Sequence, residues 1–152
     1  MFFVWLIVAA FIVVGDQLVK HWVVVHLALG ASHELIPNLM GLLYVRNYGA
    51  AWSILQGKTW FFYVVTSVAI IVVLYLMFKK RHGAVMFNLG LSFILGGAVG
   101  NFIDRLHLKY VVDMFQLKFI NFPIFNVADT FVSIGVIILF IYLIFFDKET
   151  DE

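Results

Sequence analysis

The chain has 152 residues, 64% of them hydrophobic and 12% charged, where an ordinary soluble domain carries about 25% charged residues. That composition belongs to a membrane protein, and the length suits one integral membrane unit over residues 1–152 with no separate soluble domain. A formal net charge of +1 without a basic stripe excludes a nucleic-acid binder, and zero cysteines exclude disulfides, thiolate metal sites and a cysteine nucleophile.

A membrane-crossing helix needs about 20 mostly apolar residues, and four stretches meet that requirement. The first covers about residues 2–25, uniformly apolar to Val14 and then carrying Gly15, Asp16 and Gln17. Met1-Phe2-Phe3-Val4 offers no basic n-region and no small-x-small cleavage pattern follows, so this run is expected to be a retained helix. In the connection over about residues 26–59, Leu42-Leu43-Tyr44-Val45 reads as a short strand and Asn47-Tyr48-Gly49 as a turn. Apolar side chains flanked by polar ones there suggest a small sheet or an amphipathic piece lying on the membrane surface. The second span, about 60–78, ends at Lys79-Lys80-Arg81-His82. The third runs over about 84–103, and its Gly96-Gly97-Ala98-Val99-Gly100 has the small-xxx-small spacing that lets membrane helices approach closely. A second connection, about 104–126, leads to the fourth span, about 127–146, and to a polar tail from Asp147 to Glu152.

Three basic residues in so short a turn place it in the cytoplasm by the positive-inside rule. Four spans then put both termini in the cytoplasm and both long connections outside. Ionisable residues inside a span cost about 2.5 to 3.5 kcal/mol each near its centre, and here they gather at one depth, near the outer interface. Asp16, Gln17 and Lys20 lie toward the outer end of the first span; Asn101, Asp104 and Arg105 close the third; Asn126 and Asp129 begin the fourth.

Each group also has a purely structural reading. Asp16 and Lys20 are spaced as an i,i+4 pair, with Lys20 free to snorkel outward. Asn101, Asp104 and Arg105 share a helix face and can tie it to a neighbour. Asn126 with Asp129 three residues later has the pattern of an N-cap followed by an acid in the first turn. The five histidines, His21, His26, His33, His82 and His107, show no metal-ligand spacing and read as interfacial.

Asp113 resists such a reading. It lies in Val111-Val112-Asp113-Met114-Phe115, a short apolar run where an isolated carboxylate would be desolvated. If the connection folds back between the third and fourth spans, Asp113 can approach Asp129. Two carboxylates close together in a partly dry site cannot both ionise, so one keeps a proton and the pair becomes an acid beside a base.

Taken together, these motifs resemble those of bacterial lipoprotein signal peptidases, also called signal peptidase II. The resemblance rests on Asp16-Gln17 with Lys20, Asn47-x-Gly49-x-Ala51, Gly100-Asn101-Phe102-Ile103-Asp104-Arg105, Val111-Val112-Asp113-Met114-Phe115 and Phe125-Asn126-Val127-Ala128-Asp129, in order across nearly the whole chain. It implies an all-α polytopic membrane protein with four transmembrane helices and a small extracytoplasmic β-containing cradle at about residues 30–58. It further implies an aspartic endopeptidase of the bacterial inner membrane that cuts a prolipoprotein just before its diacylglyceryl-modified cysteine, as a monomer in membrane lipid. By position, Asp113 and Asp129 match the family's catalytic pair; Asn47, Asn101, Asp104, Arg105 and Asn126 match its supporting polar residues, and Asp16, with Lys20, its first-helix motif. Neither metal nor organic cofactor is implied. Trp52, where phenylalanine is usual, and Val19, where a small or hydroxyl residue is common, depart from the pattern.

Two other classes compete with this reading. A proton-coupled transporter would use Asp16, Asp104 and Asp129 as a relay, but such a relay calls for ionisable groups at the midplane or on both sides. A helix-packing subunit accounts for the glycines and leaves Asp113 without a purpose.

Overall fold

The computed structural model describes residues 1–49 and 58–146. Ala51 and Trp52, the remainder of the expected cradle to residue 57, and the polar tail from Asp147 lie outside them. Four helices are long and apolar enough to cross a membrane: α1 Phe2–His26, α2 Thr59–Lys79, α3 Val85–Leu108 and α4 Val127–Phe145. Three strands complete the described chain: β1 Ser32–Ile36 and β2 Met40–Asn47 between α1 and α2, and β3 Val111–Leu117 between α3 and α4.

The third helix is the centre of the bundle. Half of its apolar window is buried, against 22% for α1 and 11% for α2 and α4, and it touches all three of its neighbours. The glycines make this possible. A Cβ on Gly97 would collide with the carbonyl oxygen of Ala128 in α4, and one on Gly96 would lie 2.8 Å from Ile12 in α1. On α4, Gly135 meets Gly90 in the same backbone-to-backbone fashion. With no hydrophobic drive between helices in lipid, close backbone approach of this kind is the main source of packing energy.

Apolar packing divides into two clusters at opposite ends. Trp5, Val73, Met77, Phe87 and Leu91 bury one another near the α2–α3 turn. Val23, Tyr44, Val112 and Met114 do so at the other end, where the last turns of α1 meet the sheet. The sheet has the order β1-β2-β3, antiparallel throughout. Asn38, at φ 59°, makes the tight turn of the β1–β2 hairpin, a left-handed conformation that asparagine tolerates better than most residues.

The expected spans agree with the helices, with one difference that matters. The third helix continues to Leu108, past the end of its apolar run, and stops at Lys109 in a left-handed cap at φ 66°. Asp104 and Arg105 are therefore helical residues and do not open the connection. The cradle also draws its third strand from residues 111–117, well outside the 30–58 expected to form it.

Candidate active site

Five elements converge where α3 and α1 meet the sheet. Asp16, Gln17 and Lys20 come from α1; Asn47 ends β2; Asn101, Asp104 and Arg105 occupy the last turns of α3. Asp113 is the third residue of β3, and Asn126 caps α4 three residues before Asp129. Asp16, Lys20, Asp104, Asp113 and Asn126 are all buried.

At the base is a charged triad. The Lys20 ammonium donates to Asp16 Oδ2 at 2.8 Å, to Asp104 Oδ2 at 3.0 Å and to Asn101 Oδ1 at 2.8 Å, which uses all three of its protons. Its side chain is only 3% exposed. The i,i+4 pair with Asp16 exists as expected, but outward snorkelling of Lys20 does not occur: two carboxylates from different helices outbid water for the ammonium. Gly100 leaves the room for this, since a Cβ there would stand 2.6 Å from Asp16 Oδ2.

Each carboxylate of the triad also holds a backbone N–H. Asp16 Oδ1 accepts from Ala128 N at 2.9 Å and Asp104 Oδ2 from Val112 N at 3.0 Å. Ala128 and Val112 are the residues immediately before Asp129 and Asp113.

Above the triad, three asparagines face the two remaining aspartates, and obligate donors fix the direction of every amide. Lys20 occupies Asn101 Oδ1, so the Asn101 amide nitrogen donates to Asp129 Oδ1 at 2.7 Å. Asp129 N donates to Asn126 Oδ1 at 2.9 Å, so the Asn126 nitrogen donates to Asp113 Oδ1 at 2.7 Å and to Asn101 Oδ1 at 3.0 Å. Gly49 N occupies Asn47 Oδ1, and the Asn47 nitrogen reaches Asp113 Oδ2 at 2.9 Å. Because an N–H or an ammonium cannot accept, none of the three amides can be turned around without losing two bonds. Asn126 and Asp129 form a reciprocal capping box, so the expected cap is present and joins the same network.

Burial and the nearby Asp129 carboxylate, in that order, push the Asp113 carboxyl up to about 7, against the pull of the Asn47 and Asn126 amides. Asp113, Asp129, Asn47, Asn101 and Arg105 border a cavity of about 530 Å³ whose far wall is the Phe122–Phe125 segment and the Thr130–Ser133 face of α4. Arg105 turns away from the triad, its guanidinium 4.9 Å over the Phe62 ring and reaching the Gly49 carbonyl at 3.4 Å. Asp16, Lys20 and Asp104 lie behind the cavity and do not border it. Two contributors were absent from the expected site set. Gln17 donates to Asp104 Oδ1 and to the Gly100 carbonyl, and as an amide beside Asp16 inside a span it had a visible signal. Tyr63 donates to the Arg105 carbonyl at 2.8 Å, and one more aromatic near a helix end carries no such signal.

The bundle and this end-on polar chamber define a multi-pass membrane protein with the makings of a hydrolytic site: paired carboxylates, oriented amides and a cavity for an apolar ligand. A sequence profile described as Signal peptidase (SPase) II matches residues 8–145. Among curated relatives, a lipoprotein signal peptidase of Latilactobacillus sakei is 54% identical over 97% of this chain and 98% of its own length. One from Enterococcus faecalis is 48% identical over 98% and 92%. A solved structure of a bacterial membrane enzyme superposes with a TM-score of 0.89 at 35% identity, covering 98% of this chain and 94% of that one. The chain belongs to the signal peptidase II family, and is a membrane-embedded peptidase by that membership.

Proposed function

We propose that the chain is an intramembrane aspartic endopeptidase that removes the signal peptide of a prolipoprotein by hydrolysing the bond before the diacylglyceryl-modified cysteine. The observation that carries this reading is the pairing of Asp113 and Asp129 on one cavity, each held by an amide whose direction is fixed. With one proton shared between them, Asp113 serves as the acid and Asp129 as the base. The capped N-terminus of α4 favours the same division, since a helix dipole supports an ionised Asp129.

In this scheme Asp129 takes a proton from a water between the carboxylates, and the resulting hydroxide attacks the scissile carbonyl carbon. Asp113 gives its proton to the carbonyl oxygen, forming a neutral gem-diol. Collapse returns a diol proton to Asp113 and breaks the C–N bond, while the proton on Asp129 passes to the leaving amine. No covalent intermediate forms and no metal or organic cofactor is needed. The pair titrates as a unit, so the two roles are states of the dyad.

Asn47, Asn101, Asp104, Arg105, Asn126, Asp16 and Lys20 support the pair. Of these, Asn47, Asn101 and Arg105 border the cavity beside the dyad. Residues 1–152 act as one unit, a monomer in the bacterial inner membrane with both termini cytoplasmic. The site at the sheet end then lies near the outer face, level with the glyceryl ester of a lipid-anchored cysteine whose acyl chains sit in the outer leaflet.

Purified wild type, Asp113→Asn and Asp129→Asn, at matched levels of folded protein in detergent, test the reading on a diacylglyceryl-modified prolipoprotein. Wild type should cut before the cysteine and both variants fall by about 100-fold to 10,000-fold. Near-normal turnover in either variant would sink the two-aspartate scheme. An inactive wild type would send the question to proton transport through Asp16, Asp104 and Asp129.

A further inference from the structure

The buried triad does something that its separate bonds do not suggest. One ammonium joins two carboxylates, and each of those holds the peptide N–H just before one member of the dyad: Lys20 to Asp16 to Ala128 N, and Lys20 to Asp104 to Val112 N. A third arm runs through Asn101 Oδ1 and sets the direction of the amide that donates to Asp129. Strand β3 and helix α4 thus take their positions from a single charged atom on α1.

We propose that Lys20, working through Asp16, Asp104 and Asn101, is the positioning residue that fixes the spacing of the Asp113–Asp129 pair and sets how readily that pair holds its shared proton. This rests on the endopeptidase reading above and deepens it.

Two physical arguments support the assignment. The first is cost. A buried salt bridge stabilises little over a well-packed apolar substitute, so an ion triad at the meeting of α1 and α3 is poorly explained as a source of stability. The second is charge balance. The groups facing the dyad are Asp16 and Lys20 from α1, and Asp104 and Arg105 from α3. From α2 comes Tyr63, which bonds the Arg105 carbonyl; from β2, only the neutral Asn47, because Arg46 stacks on Tyr110 instead. With Asp16 and Asp104 ionised they neutralise Lys20 and Arg105 in number, and the dyad is left with one net negative charge when it carries one proton. Lys20 is among the groups that lower the proton affinity of Asp113. Removing its charge makes the pair harder to ionise; removing Asp104's charge makes it easier.

The experiment follows one set of full-length variants by two readouts. The first is the pH profile of kcat/KM for cleavage of the diacylglyceryl-modified prolipoprotein. The second is an infrared pH titration of the protonated-carboxyl band that disappears in Asp113→Asn, which needs no substrate. In Lys20→Gln the alkaline limb, where the shared proton is lost, and the band should both move up by about one pH unit, and kcat/KM at the optimum should fall about 100-fold because the pair is no longer held in register. Lys20→Arg, which keeps the charge, should restore the wild-type limb. Asp104→Asn keeps an acceptor for Val112 N and should move limb and band down by a similar amount.

A uniform fall in rate with limb and band unmoved would reduce Lys20 to a structural strut and overturn the proposal. If Lys20→Gln does not fold, Asp104→Asn decides: a downward shift supports the triad's role, and no shift or an upward one overturns it. If wild type fails to cleave, the endopeptidase reading is lost while the infrared titration still tests the coupling of Lys20 to Asp113.

Discussion

Asp113 is 3% exposed and sits third in a strand whose first four residues are all buried. Its carboxyl is pushed from 3.8 up to about 7, first by burial and then by Asp129. The consequence for stability has a definite sign. Between about pH 4 and 7 the folded chain keeps a proton there that the unfolded chain has lost, so stability falls as pH rises through that window and levels off above it. Asp113→Asn cannot titrate, so the difference in stability between variant and wild type should drift in the variant's favour from pH 4 to 7, by up to about 4 kcal/mol. Thermal unfolding of the two proteins across that range checks it, and parallel curves would show that Asp113 titrates normally. The same residue was the clearest in the sequence, because an acid inside Val-Val-x-Met-Phe has no packing purpose. Lys20 was not clear: spacing shows that Asp16 is a possible partner but cannot show that Asp104, 84 residues further on, supplies the second. A side chain that snorkels and one that is locked inward have the same local sequence.

Among the elements, α4 carries the sharpest test of structure against function, because Asn126 belongs to both. Its side-chain oxygen caps the helix by accepting from Asp129 N, while its nitrogen donates to Asp113. Serine can supply the cap but not the amide reach. Asn126→Ser should therefore keep the cap and lose only what the unpaired buried acceptors cost, about 1 to 3 kcal/mol of stability. It should still lose the rate that one hydrogen bond to a charged group is worth, about 1.5 to 3 kcal/mol or roughly tenfold to a hundredfold. Asn126→Ala should lose that rate and also about 2 to 4 kcal/mol of stability, from the missing cap and the unpaired buried groups. Unfolding and cleavage measured on the same preparations separate the two; equal activity in serine variant and wild type would leave Asn126 as a cap alone. The helices themselves were legible because twenty apolar residues admit few other meanings. The end of α3 was misjudged since Asp104, Arg105 and His107 break the apolar run, whereas the helix continues because Asp104 has a buried ion pair waiting. Strand β3 escaped notice for a related reason. Its register with β2, Val45 opposite Asp113 and Asn47 opposite Val111, is a contact across more than 60 residues that no local pattern encodes.

At the scale of the whole molecule, the placement of cations rather than their number sets which end should face the cytoplasm. Lys79, Lys80 and Arg81 lie at one end; Arg46, Lys58, Lys109 and Lys118 lie in the connections at the other. What differs is density. The first group occupies consecutive positions in a turn between helices that begin and end within a few residues of it, whereas the second group is spread over two long connections. The positive-inside bias acts most strongly in short loops close to the ends of spans, so the 79–82 turn should stay in the cytoplasm and the sheet with its polar chamber should face outward. The absence of cysteine from the sequence makes the test clean. Single-cysteine variants at two exposed histidines, His33→Cys in β1 and His82→Cys in the turn, should respond oppositely to a membrane-impermeant thiol reagent. His33→Cys should label in intact cells, and His82→Cys only after the membrane is opened. The reverse pattern would invert the protein, move the Asp113–Asp129 pair to the cytoplasmic leaflet, and remove the geometric match with a substrate anchored by acyl chains in the outer one.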